Sequence, residues 1–189
     1  HGLKNGKRLE ALSSQTGLDA QYLTLLRREV ESYFPKPIAL HKFDWLPQGE
    51  VAKLGQAGIG STAVLFAATN TLERLSELAT TTGADATFLK TFAQLADLTR
   101  IKWVSVKTAR MLFEAGYDSV NKVETAVAAD LCAVLDKVNE GHKYYKGKIG
   151  LRDIKRLSRA AGYVGNWQHP TLSTIVSRRD AESAENRKA

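Results

Sequence analysis

L-T-R-I-K-W-V-S-V-K-T-A-R-M-L-F-E-A-G-Y, from Leu98 to Tyr117, reads as two helices joined by a tight hairpin around Trp103–Ser105. Leu98 and Ile101 fall on the apolar side of the first helix, and Ala109, Leu112 and Phe113 on that of the second. Ala115-Gly116 stops the second helix, because glycine takes the left-handed conformation that satisfies the last carbonyls. Tyr117 can then fold back on the final turn. Everything else in the chain is arranged around this unit.

Upstream, the same pattern occurs at a constant offset of 58 residues. Leu40, Phe43, Trp45, Leu54, Ala57, Gly58, Ile59 and Ser61 align without gaps to Leu98, Ile101, Trp103, Leu112, Ala115, Gly116, Tyr117 and Ser119. A second match precedes it at an offset of 66, pairing Thr16-Gly17-Leu18-Asp19-Ala20-Gln21-Tyr22-Leu23 with Thr82-Gly83-Ala84-Asp85-Ala86-Thr87-Phe88-Leu89. The two offsets differ by about the length of the insertion around Phe34-Pro35-Lys36-Pro37. The chain therefore reads as an internal duplication with one loop expanded in the first copy. The expected organisation is a diverged first repeat over 1–80, a second repeat over 81–165 and a tail over 166–189.

The remaining segments read as helices. Leu3–Gln15 and Ala20–Ser32 are expected first, with Asp19 as an N-cap. Ser61–Ala68 follows, then Thr71–Thr80 behind a capping box of Asn70 and Glu73, then Ala86–Leu98. Ser119 caps a short helix to Thr125, Ala129–Asn139 forms another near Gly141, and Gly150–Ala161 is the last, ended by Gly162 and Gly165. No segment alternates with a strand's period. The expected fold class is all-α, a tandem duplicated helical domain built on helix-hairpin-helix-like units.

Composition bounds the function. The chain has 189 residues, 43% hydrophobic and 25% charged, which is ordinary for a globular protein. The longest apolar run, Ala63–Ala68, is far short of a membrane span, so no membrane partner is expected. Cys132 is the only cysteine. It leaves no disulfide frame or CxxC metal site, and suits a reducing, cytoplasmic setting. His1-Gly2 in place of a Met reads as a processed end or the edge of a longer chain, with a partner domain then outside it. The net charge of +7 is uneven. Ala39–Asn139 carries 10 Lys/Arg against 11 Asp/Glu, whereas Glu140–Ala189 carries 11 against 5. Basic character belongs to the C-terminal quarter.

Thr82-Gly83, Phe88-Leu89, Ala96-Asp97-Leu98, Arg100-Ile101-Lys102, Leu112, Ala115-Gly116, Ser119-Val120, Leu131, Leu135 and Val138-Asn139-Glu140 together resemble an uncharacterised, mostly bacterial, helix-hairpin-helix-containing family, a domain of unknown function of the DUF4332 kind. The resemblance covers roughly Leu75 to Ala161, and the first copy looks like a diverged second example. The Leu98–Val120 core is also similar to the helix-hairpin-helix near the end of some DNA helicases and repair proteins. The resemblance implies the fold; it implies no activity.

A DNA-binding hairpin of this kind is usually glycine–apolar–glycine, with bare N–H groups that hold a phosphate. Here the triplets are Trp45-Leu46-Pro47 and Trp103-Val104-Ser105, and Pro47 has no N–H to donate. The second hairpin is the better candidate, with Ser105 small and Lys102, Lys107, Thr108 and Arg110 around it. Equally, the tryptophans can plug a core and the lysines can be a solvated face. The stronger feature is Lys143, Tyr144, Tyr145, Lys146, Lys148, Arg152, Lys155, Arg156 and Arg159, which interleaves cations for phosphates with aromatics for stacking. A solvated basic helix with packed tyrosines explains it as well. Thr16-Gly17 and Thr82-Gly83 before capped helices fit a helix-turn-helix, but a capped αα-hairpin explains them equally.

No catalytic pattern emerges: His1, His41, His142 and His169 are isolated, with no HExxH, P-loop, GxGxxG or GxSxG. No metal or cofactor is expected. Two functions stand. One is a non-catalytic module associated with DNA or RNA through backbone contacts of little sequence preference. The other is a protein-interaction adaptor whose hairpins have lost the phosphate-binding glycines. An exposed apolar patch of Trp45, Trp103 or Trp167 favours the second. A shared positive face around Ser105 and Lys146 favours the first, and Asp or Glu separating them favours the second.

Overall fold

The computed structural model describes residues 6–165, so the 166–189 tail and Trp167 lie outside the described residues. The described chain is mostly helical and contains no strand, only one isolated bridge between Ala39 and Ser61. The class is all-α. Contacts cluster into two units that divide after Lys36, beside Pro35 and Pro37 where helix cannot continue.

The first unit is an αα-hairpin of α1 (Gly6–Thr16) and α2 (Ala20–Ser32), which touch each other. Asp19 is extended, and its carboxylate accepts the Tyr22 N–H at 2.9 Å, so α2 begins where a cap can satisfy its first free donors. Leu9 and Leu23 are buried.

The second unit starts with a 3-10 turn at Leu40–Lys42. It continues through α3 (Gln48–Gln56), α4 (Thr62–Ala68), α5 (Leu72–Thr82), α6 (Ala86–Leu98), α7 (Val106–Glu114), α8 (Val120–Glu124), α9 (Ala128–His142) and α10 (Leu151–Gly165). Its centre is α6, which buries Phe88, Leu89, Phe92, Leu95, Ala96 and Leu98. Apolar residues three and four apart give it more than one buried face, and α4, α5 and α7 all pack on it. Phe92 meets Phe88 and Phe43 edge to face, with centroids 5.6 and 5.0 Å apart. At the other end, α10 lies on α8 and α9 and buries Ile154, Leu157, Ala160 and Ala161.

Helices α3 and α7 end alike. Gly58 and Gly116 have φ of +79° and +85°, conformations that a Cβ disfavours. The Gly58 and Gly116 N–H groups donate to Gly55 and Phe113, each at 3.0 Å; Ile59 and Tyr117 donate back to Leu54 and Leu112, each at 2.9 Å. This double closure satisfies carbonyls that the helix leaves free. Both leucines are fully buried.

Four local expectations are corrected. Ile101 lies in the turn after α6 instead of on the helix, although it is fully buried. Thr71, not Asn70, caps α5, with the Arg74 N–H 3.3 Å from its hydroxyl; the Glu73 carboxyl is held below its ordinary pKa by its own backbone N–H and by Thr71. Helix α9 runs past Gly141 and closes on Lys143, which is left-handed at φ +53°. Helix α10 continues through Gly162. An added Cβ there would lie 3.2 Å from the Glu124 carboxylate, so this glycine permits close approach to the end of α8 rather than ending a helix.

Candidate functional site

The second hairpin is built differently from the expected phosphate cradle. Ser105 is the N-cap of α7: its hydroxyl accepts the Thr108 N–H at 3.2 Å and shares a 2.9 Å hydrogen bond with the Thr108 hydroxyl. One of the donors that a phosphate would take is thus already satisfied within the chain. Lys102 is buried at 7% exposure, and its ammonium stands 4.6 Å from the centre of the Trp103 ring. Lys107 is exposed beside it. The hairpin therefore presents Trp103, Ser105 and Lys107 outward, and Lys102 only across an indole.

Arg110 and Tyr144 are drawn into a network with Glu114. Arg110 Nε donates to Glu114 Oε1 at 2.9 Å, and the Tyr144 hydroxyl reaches the two carboxylate oxygens at 2.9 and 3.0 Å. Burial, and then Glu114, push the Tyr144 phenol above its ordinary pKa. The Arg110 guanidinium also lies 4.8 Å from the Trp45 ring and 5.2 Å from that of Tyr144, a cation held between two aromatic faces. His142 stacks on Tyr144 at 5.2 Å, with Nε2 3.9 Å from Glu114. A shallow hollow of about 380 Å³ opens beside them, lined by Glu114, Val134, Lys137, Val138, Gly141 and His142. Glu114 was not legible as part of a site; its i,i+4 spacing from Arg110 was the available signal.

The loop before α10 is pinned by α9. The Asn139 side chain accepts the Tyr145 N–H at 2.7 Å and donates to its carbonyl at 3.0 Å. Cys132 Sγ lies 3.2 Å from the Ile149 carbonyl, and burial, aided by Asp136, pushes its thiol pKa up. With the loop anchored, Lys143, Lys146 and Lys148 all point to solvent. Helix α10 continues the stripe: its apolar side faces α8 and α9, and Arg152, Lys155, Arg156 and Arg159 are all exposed. Within α10 the opposing acid is Asp153, 3.9 Å from Arg156. Trp45 is packed against Phe43 at 5.4 Å and is partly buried, whereas Trp103 is 58% exposed.

Among the described residues no cluster of His, Cys, Asp or Glu could hold a metal ion, and no helix is long and apolar enough to cross a membrane. The arrangement defines a helical domain that displays a basic stripe on its last helix and an aromatic residue at a hairpin tip. The chain belongs to the DUF4332 family, a domain of unknown function, whose model matches residues 46–164. The match begins inside the first hairpin and ends within α10, which is wider than the Leu75–Ala161 stretch expected from the sequence. No curated protein and no solved structure matches the chain.

Proposed function

We propose that this chain is a non-catalytic helical module, built by tandem duplication of helix-hairpin-helix-like units, that associates with DNA or RNA through the phosphate backbone. The duplication is supported by element lengths. Helices α1 and α5 match at an offset of 66, as do α2 and α6, and α3 and α7 match at 58, each pair equal in length. The change of offset falls between Ser32 and Leu40, in the proline segment where the two compact units part.

The observation that carries nucleic-acid association is the stripe of seven exposed cations, Lys143, Lys146, Lys148, Arg152, Lys155, Arg156 and Arg159, on a pinned loop and one helix face. Cations held on a rigid surface release counterions from a phosphate backbone without reading sequence. Lys107 and Ser105 add a second point of contact, whereas Arg110 and Tyr144 serve to anchor the loop to α7.

Titration of the full chain with labelled DNA and RNA at 50 and 200 mM salt tests this. Contact with about five phosphates gives a loss of roughly 10²–10³-fold in affinity across that range. The combined change Lys146→Glu, Lys148→Glu, Arg152→Glu abolishes binding at 50 mM. Absence of binding in the unaltered chain, or indifference to the triple change, refutes the reading.

A second reading, a protein-interaction adaptor, is favoured by one observation: neither hairpin keeps the glycine cradle's full set of free backbone donors, Pro47 having no N–H in the first and the Thr108 N–H being taken by Ser105 in the second. Co-purification that returns a protein and no nucleic acid would select it.

A further inference from the structure

We propose that Trp103 is a stacking platform for an unpaired base, so that the module prefers single-stranded or frayed nucleic acid to intact duplex. The inference rests on the backbone-binding reading above and adds a ligand class to it.

Trp103 has φ +71°, a left-handed conformation that bulky side chains rarely adopt, and the residue is 58% exposed. The Val104 N–H closes a turn on Ile101 at 3.1 Å, leaving Trp103 at the turn position that normally asks for glycine. The backbone is strained and the residue stays more than half exposed, its contact within the fold being with the Lys102 ammonium. The first hairpin shows that neither is forced. There the Leu46 N–H closes the same turn on Phe43 at 3.0 Å, φ at Trp45 is not positive, and the ring packs on Phe43 and Arg110. One repeat position thus stores its tryptophan in one copy and presents it in the other. Strain kept at a presented side chain points to contact with a ligand.

The surroundings choose the ligand. A protein-docking anchor is normally ringed by apolar contacts that exclude water. Along the hairpin and α7, Trp103 is the exposed large apolar residue, and its neighbours are Lys102, Ser105 and Lys107. Lys102 holds its ammonium 4.6 Å from the ring centre. With the Lys102 ammonium over one face of the ring, the opposite face is the one a base would stack on, and the exposed Lys107 four residues on supplies a cation for a phosphate, a mode that tolerates any base.

The test uses the full chain, a labelled oligo-dT strand, a duplex of equal length, and fluorescence anisotropy at 50 mM salt. The variant Trp103→Gly suits the turn and keeps the chain folded, which circular dichroism checks. It should weaken single-strand binding by about tenfold and change duplex binding by less than about twofold, and Trp103→Phe should recover most of the loss. Equal losses on both ligands, or no loss on either, overturn the platform. If the Lys146/Lys148/Arg152→Glu chain still fails to bind, backbone association survives that result and only the stacking role falls. If the unaltered chain binds neither ligand, both readings fall. A Trp103-dependent protein partner with no strand dependence also overturns the platform.

Discussion

The hairpins at Leu40–Ile59 and Leu98–Tyr117 share almost every constraint that makes a fold. Each has a buried leucine at its entry, a three-residue turn, a nine-residue helix, a double carbonyl closure on a left-handed glycine and a serine before the next short helix. They diverge most at their tips, although one core position also differs, buried Met111 in the second standing where the first has the partly exposed Lys53. At the first tip Pro47 stands at the N-cap position of α3 without a capping hydrogen bond and Trp45 is partly buried; at the second Ser105 caps α7 and Trp103 is exposed. Packing holds the helix ends alike in both hairpins, and what differs most is the surface each offers. This is the pattern expected, on the duplication proposed above, when function is grafted on a repeated scaffold.

The sharpest way to break that comparison is to remove the leucine that seats each helix. Leu54 and Leu112 are both fully buried, so Leu54→Ala and Leu112→Ala should each cost about 2–5 kcal/mol and differ from each other by less than the cost itself. Urea unfolding of the two variants measures it. A cost below about 1 kcal/mol for Leu54→Ala alone would mean that the first hairpin is an appendage and not part of the common core.

The shared parts were legible because they are local. Asp19 and Asp85 announce α2 and α6, and the Ala-Gly pairs announce the ends of α3 and α7, because caps and left-handed glycines act within one turn of chain. The divergent parts were not. Lys102 was expected as a surface cation, yet it is buried against an indole whose direction follows from one backbone angle. Arg110 and Tyr144 were expected to meet a ligand, but Glu114 collects both across 30 residues of chain from Tyr144. Helix α10 runs through Gly162, where a Cβ would meet the Glu124 carboxylate of α8 at 3.2 Å, a tertiary contact that the local sequence does not carry. The basic stripe lay between these cases: its cations were visible in composition, while its coherence depended on Asn139 pinning the loop.

A smaller effect sharpens the contrast between the two tryptophans and needs no ligand. At a left-handed position a Cβ costs about 1 kcal/mol, whereas elsewhere glycine costs about 0.5–1 kcal/mol relative to alanine through the unfolded chain. Trp103→Gly should therefore be more stable than Trp103→Ala, and Trp45→Gly less stable than Trp45→Ala. The sign reverses between two tryptophans that the 58-residue offset pairs. Thermal unfolding of the four variants reads it, and the same sign at both positions would show that the turns are alike after all.

The least of the expected effects concerns a link that only the first hairpin makes. Glu50 on α3 accepts the Lys53 ammonium at 2.6 Å and the Asp85 N–H at 2.9 Å, tying the hairpin to the start of α6. The Lys53 hydrogen bond first, and the Asp85 N–H next, hold its carboxyl below the ordinary value of 4.5. A carboxyl whose folded pKa is depressed contributes stability above its unfolded value and loses it as pH falls through the folded one. The stability attributable to this link is thus whole at neutral pH and fades below about pH 4.5. Glu50→Gln should lower the urea midpoint slightly at pH 7 and leave a shallower decline between about pH 5 and pH 3 than the unaltered chain shows. The residue at the same place in the second hairpin is Thr108, which serves the Ser105 cap instead. Thr108→Val should accordingly lower stability by the same amount at every pH in that range, since no titrating group is lost. Parallel pH curves for Glu50→Gln and the unaltered chain would remove this link from the list of differences between the two hairpins.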